Sequence, residues 1–182
     1  MTVIRRLVQQ NSIDKNHTAV NLKIPDQQFK TSIYPMRSSD LELVYAWRQD
    51  REVMRFLPSA PKLTSWNDHW NWWTLRESGR EDWMIIIEDL TNTAIFERRV
   101  GVVHLDRRTH EIGIIIGEKG IWGHGIATSA LRLAVSESPG ATWAIIHPQN
   151  VGSQRAFMKA GFERVGITSR SRHGQEEWRA VV

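Results

Sequence analysis

The sequence contains no cysteine among its 182 residues, which excludes disulfide bonds and thiolate catalysis. It also lacks an apolar run near the ~20 residues that a membrane-spanning helix needs. Residues 1–10 lack the apolar core of a signal peptide. A chain of this length has room for the core of one domain. We therefore expect a cytoplasmic protein with no membrane partner.

No continuous basic stripe runs through the sequence, although the formal net charge is +4. The basic residues form short, separate clusters at Arg98-Arg99, Arg107-Arg108 and residues 170–173. Because nucleic-acid binding usually requires a continuous basic surface, we expect no nucleic-acid partner. His69 has no second ligand at the spacing of a metal site, so no metal is predicted.

The most informative segment begins at Glu111. Residues 111–117 form a near-continuous apolar run, typical of a strand buried on both faces. The turn Trp122-Gly123-His124-Gly125 follows and leads into the amphipathic helix of residues 129–135. A glycine pair alone is in most cases only an ordinary helix start. The unpaired amides of a helix's first turn, however, form an anion site that suits phosphate.

A second pattern follows that helix. Residues 142–147 form another apolar strand, and the chain continues as Asn150-Val-Gly-Ser153 and then Lys159-Ala-Gly161-Phe162. Together the two patterns resemble the GCN5-related N-acetyltransferase (GNAT) superfamily. Its acyl-CoA signature, Gln/Arg-x-x-Gly-x-Gly/Ala, matches at Gly125 and Ala127, and its downstream signature matches the second pattern. The resemblance extends from about residue 33 to residue 182.

The resemblance implies an α/β fold with a mixed, mostly antiparallel central sheet of about seven strands. The sheet would splay between strands 4 and 5 and carry helices on both faces. Residues 1–31 would form an N-terminal arm, and residues 32–182 a single acetyltransferase domain. Strands are expected at residues 33–37, 83–88, 100–106, 111–117 and 142–147, and in a hairpin of residues 164–170 and 176–182. Helices are expected from Ser38 or Ser39 to Trp47 and over residues 51–57.

The resemblance also implies that acetyl-CoA is the co-substrate. The backbone of the fourth strand, about Ile114, Ile115 and Ile116, would bind the pantetheine arm like an added strand. The other residues assigned to CoA lie in the glycine turn and around the second pattern: Trp122, Gly123, His124, Gly125, Ile126, Ala127, Thr128, Asn150, Ser153, Arg155 and Phe157. Purely structural roles stay open for Thr128 and for Asn150, as a helix N-cap, and solvent contact stays open for His124 and Arg155.

Acetyl transfer requires a neutral amine, yet an alkyl ammonium with a pKa near ~10 is mostly charged at neutral pH. A general base is therefore needed, and there are three candidates. Glu111 lies where spermidine-type relatives carry a glutamate that faces the acceptor, although it could equally be a solvated strand-end carboxylate. Glu118 follows the same strand, and His104 carries an imidazole that titrates near neutrality.

Two positions depart from the family pattern. Phe157 stands where many relatives place a tyrosine that protonates the CoA thiolate. Either water or Ser153 would have to supply the proton instead, or catalysis would depend mostly on the proximity of the two substrates. Trp122 stands at the usual Gln or Arg position, which changes the side chain but keeps the backbone amides.

The acceptor is indicated less directly. Trp66, Trp70 and Trp73 share one helical face, where they either form a core stripe or line the acceptor pocket. The acidic residues Asp68, Glu77, Glu81 and Asp82 either attract a cationic amine or only face solvent. The resemblance is greatest to the branch that contains ribosomal-protein, spermidine and sugar-nucleotide amine acetyltransferases.

We expect an N-acetyltransferase that acts on a primary amine of a small molecule, namely a polyamine, an amino sugar or an aminoglycoside. A protein N-terminal acetyltransferase and a non-catalytic acyl-CoA-binding module are the alternatives. A homodimer is compatible with the sequence, and residues 1–31 could contribute to its interface.

Overall fold

The computed structural model describes residues 29–57, 65–75, 79–91, 97–138 and 140–181. Residues 1–28, most of the predicted N-terminal arm, lie outside the described residues. The strands are β1 (Phe29–Pro35), β2 (Arg80–Asp89), β3 (Glu97–Asp106), β4 (Ile112–Ile116), β5 (Trp143–Ile146), β6 (Phe162–Gly166) and β7 (Glu176–Ala180). The α-helices are α1 (Leu41–Gln49), α2 (Arg51–Met54), α3 (Trp66–Thr74), α4 (Ile126–Ser136) and α5 (Val151–Lys159).

The strands form two antiparallel sheets, with the orders β1-β2-β3-β4 and β5-β7-β6. In the described part of the chain, an isolated parallel bridge between Glu111 and Trp143 links the two sheets. At the same end, the indole of Trp143 donates a hydrogen bond to the carbonyl of Thr109 at 2.6 Å. β4 and β5 are therefore joined at their N-terminal ends and unpaired beyond. This confirms the predicted fold and its splay between strands 4 and 5.

Side chains alternate between the two faces of the first sheet, and each face packs against a different helix. Ile85 points to the side of α4, where it joins Leu131 in the larger core cluster. Its neighbour Met84 points to the opposite side and packs with Leu41 of α1 in a second cluster. Helices therefore cover both faces, as predicted.

β1 begins at Phe29 rather than at residue 33, so it crosses the predicted domain boundary at residue 31. It pairs with β2 along its whole length, from Phe29 opposite Asp89 to Pro35 opposite Trp83. Polar residues at 30–32 concealed this strand in the sequence. Its pairing is made by backbone groups and by an ion pair between Lys30 and Glu88 at 2.9 Å, neither of which produces an apolar pattern.

The C-terminal hairpin also differs from the prediction. β6 covers residues 162–166 instead of 164–170, and residues 167–175 connect it to β7. The strand ends early because Gly166 has a positive φ of 102° and the register shifts between Arg164 and Gly166. α2 likewise ends at Met54 rather than at residue 57.

Candidate active site

The edge of β4 that faces β5 is open. The amide of Asp106 in β3 donates to the carbonyl of Glu111, and the amide of Gly117 donates to a β3 carbonyl, both at 2.9 Å. In an antiparallel ladder, alternate residues direct both backbone groups to the same neighbour. Odd-numbered residues of β4 therefore face β3, and Ile114 and Ile116 direct their backbone groups into the gap towards β5. Ile115, predicted to share in cofactor binding, instead pairs with β3.

Gly117 ends this edge beneath a tryptophan. A Cβ built at Gly117 would lie 2.0 Å from Cδ2 of Trp47, far inside the ~3.5–4.0 Å of an ordinary carbon contact. Trp47 belongs to α1 and is buried in the second core cluster. Only glycine fits here, and the packed indole fixes the chain where β4 ends and the gap opens.

The glycine turn has the geometry of an anion site. Gly123 and Gly125 have φ values of 86° and 80°, in the left-handed region that favours glycine. Gly125 is the N-cap of α4, and no side chain caps this helix. A Cβ built at Gly123 would meet no atom within 4 Å. The space beside Gly123 is therefore open, and the first-turn amides of Ile126, Ala127 and Thr128 have no acceptors within the helix.

The side chains around the turn have protein partners. The indole of Trp122 donates to the carbonyl of Ile116 at 3.0 Å. The ring of His124 packs edge-on against Phe29, with 5.5 Å between centroids. The hydroxyl of Thr128 donates to the carbonyl of Ala156 at 3.4 Å and so joins α4 to α5. The amides of Trp122 and His124 also donate within the protein, to the carbonyls of Lys119 and Ile121. The amides of residues 126–128, which have no acceptors inside the helix, are thus the groups suited to bind a ligand.

The second pattern builds the start of α5. Asn150 is the N-cap, and its Oδ1 accepts a hydrogen bond from the amide of the half-buried Ser153 at 3.1 Å. Arg155 lies exposed on the same helix. Phe157 is 2% exposed and packs edge-to-face on Phe162, with 4.9 Å between centroids. This core position accounts for a phenylalanine here, and its role in cofactor binding stays a prediction.

Glu111 lies at the start of β4, on the face of the sheet that α1 covers. Burial raises the pKa of its carboxyl, and the positive charge of Arg172 opposes that shift. The Nη2 of Arg172 is 3.8 Å from the nearer carboxylate oxygen. A carboxylate with a raised pKa is a stronger base. Its strand position and the raised pKa of its carboxyl therefore keep Glu111 a candidate proton acceptor.

The other two candidate bases are less suited to that role. Burial, assisted by Arg80, lowers the pKa of His104 to about 4. Its ring covers Gly113 of β4, where a built Cβ would lie 2.2 Å from the imidazole Cε1. His104 is therefore neutral and weakly basic at pH 7. Glu118 forms an exposed ion pair with Arg98 at 3.4 Å.

Of the two alternatives for the tryptophans of α3, the core stripe is wrong for two of its three members. Trp66 and Trp70 are 45% and 42% exposed, whereas His69 between them is fully buried. The Nε2 of His69 lies 3.0 Å from the carbonyl oxygen of Leu41, so α3 docks on α1 through its histidine. Trp73 is partly buried against the second core cluster. The exposed rings remain candidates for acceptor contact.

Sequence reasoning missed three contacts made by aromatic rings. Trp72 stacks on His69 at 5.3 Å, and the guanidinium of Arg48 lies 4.8 Å from its ring centroid. Burial lowers the pKa of Arg48 to about 10. Phe56, just after α2, stacks on His147 at the end of β5, again with 5.3 Å between centroids. Only the stacking of His69 and Trp72 had a signal in the sequence, namely their spacing of three residues. The residues of the other contacts lie far apart in the sequence.

The acidic residues predicted to attract a cationic acceptor have protein partners. Glu81 accepts a hydrogen bond from Arg107 at 2.9 Å, and Asp82 pairs with Arg80 at 3.2 Å. Asp68 accepts from the amide of Ser65 in the capping box of α3. Glu77 lies outside the described residues. Within the described residues, these three carboxylates therefore do not form a free acidic patch on α3 or β2.

The described residues contain no group of three or more His, Asp or Glu side chains that could hold a metal ion. None of their helices is long and apolar enough to cross a membrane.

The chain is similar to known proteins in sequence. A family model described as an acetyltransferase (GNAT) domain matches residues 31–163. An uncharacterized protein of Methanocaldococcus jannaschii is 30% identical over 158 residues, which cover 87% of this chain and 32% of that protein. The chain therefore spans about a third of the length of this curated relative.

Solved structures show the same fold. A domain from Methanocaldococcus jannaschii has a TM-score of 0.73 at 27% identity, covering 85% of this chain and 99% of that one. The aminoglycoside acetyltransferase AAC(6')-Ib in complex with coenzyme A has a TM-score of 0.67 at 16% identity, covering 82% and 93%. Spermidine N-acetyltransferase from Vibrio cholerae, in complex with CoA and spermine, has a TM-score of 0.61 at 16% identity, covering 84% of this chain and 93% of that one.

Proposed function

Because the chain belongs to the GNAT acetyltransferase family, we propose that it transfers the acetyl group of acetyl-CoA to a primary amine of a small molecule. The observation that carries this proposal is the open edge of β4 beside the glycine-capped start of α4. One surface thereby offers strand-like hydrogen bonds and an anion site next to each other.

The two halves of that surface suit the two halves of acetyl-CoA. Backbone groups of Ile114 and Ile116 would bind the amides of the pantetheine arm, as a sheet edge binds an added strand. The amides of residues 126–128 would bind the pyrophosphate at the positive end of α4. The CoA complexes of AAC(6')-Ib and of the spermidine enzyme, which share this fold, support the assignment.

Glu111 would act as the general base, directly or through a water molecule. The deprotonated amine attacks the thioester carbonyl carbon, and an N–C bond forms. The nitrogen then loses its extra proton to solvent as the C–S bond breaks and the amide is left. Phe157 has no proton for the leaving thiolate, so solvent supplies it in this mechanism. A thiolate leaves readily, and holding amine and thioester together provides most of the acceleration.

The exposed rings of Trp66 and Trp70 and the stacked pair Phe56–His147 provide apolar surfaces for an acceptor on the α1 side. We propose a polyamine, an amino sugar or an aminoglycoside. Support comes from the neighbouring folds, whose complexes contain spermine, ribostamycin and kanamycin.

The test is release of CoA thiol from acetyl-CoA in the presence of spermidine, kanamycin, glucosamine or a peptide with a free N-terminus. Thiol release with one of the first three, and a product heavier by one acetyl group, supports the proposal. Release with the peptide alone would assign a protein N-terminal acetyltransferase. Acetyl-CoA binding without release over a broader amine panel would assign a non-catalytic module, and absence of both would contradict the proposal.

We further propose that residues 29–181 belong to one acetyltransferase domain, which the family match within residues 31–163 supports. A cytoplasmic location is supported by the cysteine-free composition. A homodimer is proposed on the family resemblance, and light scattering of the purified chain tests it.

A further inference from the structure

Trp122 is the one residue of the glycine turn whose side chain reaches the edge of β4. Its indole Nε1 donates a hydrogen bond to the carbonyl oxygen of Ile116 at 3.0 Å. Its own amide donates to the carbonyl of Lys119 at 3.1 Å, which fixes the turn that carries the ring. The residue is 38% exposed, so the indole lies at the surface rather than in the core.

The carbonyl that the indole binds belongs to the open edge of β4. Ile116 alternates with Gly117, whose amide donates to β3, so the backbone groups of Ile116 face the gap. Because the indole Nε1 of Trp122 lies 3.0 Å from this oxygen, the ring also lies against the edge of β4. An extended ligand that pairs with β4 would need the same oxygen and the same space.

We propose that Trp122 is a displaceable cap on the cofactor-binding edge, and this rests on the proposed function. In the free protein, the indole N–H binds the carbonyl of Ile116, which would otherwise be left to solvent on an open strand edge. When acetyl-CoA binds, an amide N–H of its pantetheine arm takes over this carbonyl, and the indole moves away. Trp122 thereby sets the affinity for the cofactor, because binding must first break an existing hydrogen bond.

Trp122→Phe tests the cap, since it keeps an aromatic ring and removes only the N–H donor. The partly exposed position tolerates this change. Without the competing donor, the affinity for acetyl-CoA should rise about 2- to 10-fold, the range that corresponds to one net hydrogen bond. Titration calorimetry measures this directly.

Trp143→Phe is the matched control. It also removes an indole–carbonyl hydrogen bond, to Thr109, but at the closed end where β4 and β5 are bridged. Its affinity for acetyl-CoA should equal that of the wild type. If Trp122→Phe binds acetyl-CoA no more tightly than the wild type does, the cap is refuted.

The wild-type protein provides a second, independent readout. With ¹⁵N-labelled tryptophan, the indole signal of Trp122 is the one that Trp122→Phe lacks. Saturating acetyl-CoA should shift its proton upfield, because the hydrogen bond to the carbonyl is lost. An unchanged Trp122 signal in wild-type protein that does bind acetyl-CoA overturns the cap alone. Failure of the wild type to bind acetyl-CoA would overturn the proposed function and the cap together.

Discussion

Replacing Gly117 by alanine should destabilise the protein, because the indole of Trp47 fills the space that the methyl group needs. The new Cβ would lie 2.0 Å from Cδ2 and 2.1 Å from Cγ of Trp47. Carbon atoms in contact are ~3.5–4.0 Å apart, so the overlap is about 1.5 Å. Trp47 is only 6% exposed and packs with Leu41 and Met84, so the ring cannot move without disturbing that cluster.

The expected loss is at the upper end of the ~1–3 kcal/mol typical of core overpacking. In a protein of this size, each kcal/mol lowers the melting temperature by ~2–4 °C. Taking about 3 kcal/mol, we expect the melting temperature of Gly117→Ala to fall by about 6–12 °C. Thermal denaturation followed by circular dichroism measures it.

Gly120→Ala is the control, three residues further along the same connection. A Cβ at Gly120 meets no atom within 4 Å, and its φ is not in the left-handed region. Alanine there should leave stability unchanged or raise it by about 0.4–1 kcal/mol through the unfolded chain. Equal melting temperatures for Gly117→Ala and Gly120→Ala would refute the packing of Trp47 over β4. Gly117→Ala combined with Trp47→Leu should lose less stability than the sum of the two single losses, because residues in contact are non-additive.

Two further predictions concern titrating groups. Glu111→Gln should lower kcat/KM by about 10²-fold or more. Because only the carboxylate form acts as a base, the wild-type-to-variant ratio of kcat/KM should rise as the pH rises through the raised pKa of Glu111; a pH-independent ratio would remove Glu111 as the base. Burial lowers the pKa of His104 from 6.5 to about 4 in the folded protein, so the unfolded chain binds the proton more tightly. The contribution of neutral His104 to the free energy of unfolding is therefore complete above pH 6.5. It is lost as the pH falls towards 4, and the loss is at most about 3 kcal/mol. Urea denaturation across this range should show a smaller loss for His104→Asn, and an equal loss would contradict the shift.

The parts of the fold and site that could be predicted are those with a local physical cause. The apolar run before the glycine turn indicated β4, and the left-handed φ values of Gly123 and Gly125 are conformations that glycine favours. The Asn150 cap acts over three residues, and the sequence offered it as an alternative. Local rules of strand, turn and cap are enough in each of these cases.

The remainder depends on contacts between distant segments. The start of β1 is set by pairing with β2, although residues 30–32 are polar. The helical period placed Trp66 and Trp70 on one face, but their exposure was decided by His69, which reaches the carbonyl of Leu41. The indole of Trp122 finds its acceptor only because the glycine turn folds back over the end of β4. Periodicity carries no information on such docking.

The binding of acetyl-CoA at the start of α4 is tested most directly by one calorimetric comparison of Ala127→Glu with Ala127→Gln. A glutamate in the first turn interacts favourably with the positive end of the helix, so both variants should fold. The added carboxylate would lie within about 6 Å of the pyrophosphate and should repel it by about 1–3 kcal/mol. We therefore predict that Ala127→Glu binds acetyl-CoA at least about fivefold more weakly than Ala127→Gln. Equal affinities for the two variants would contradict a pyrophosphate site at this turn.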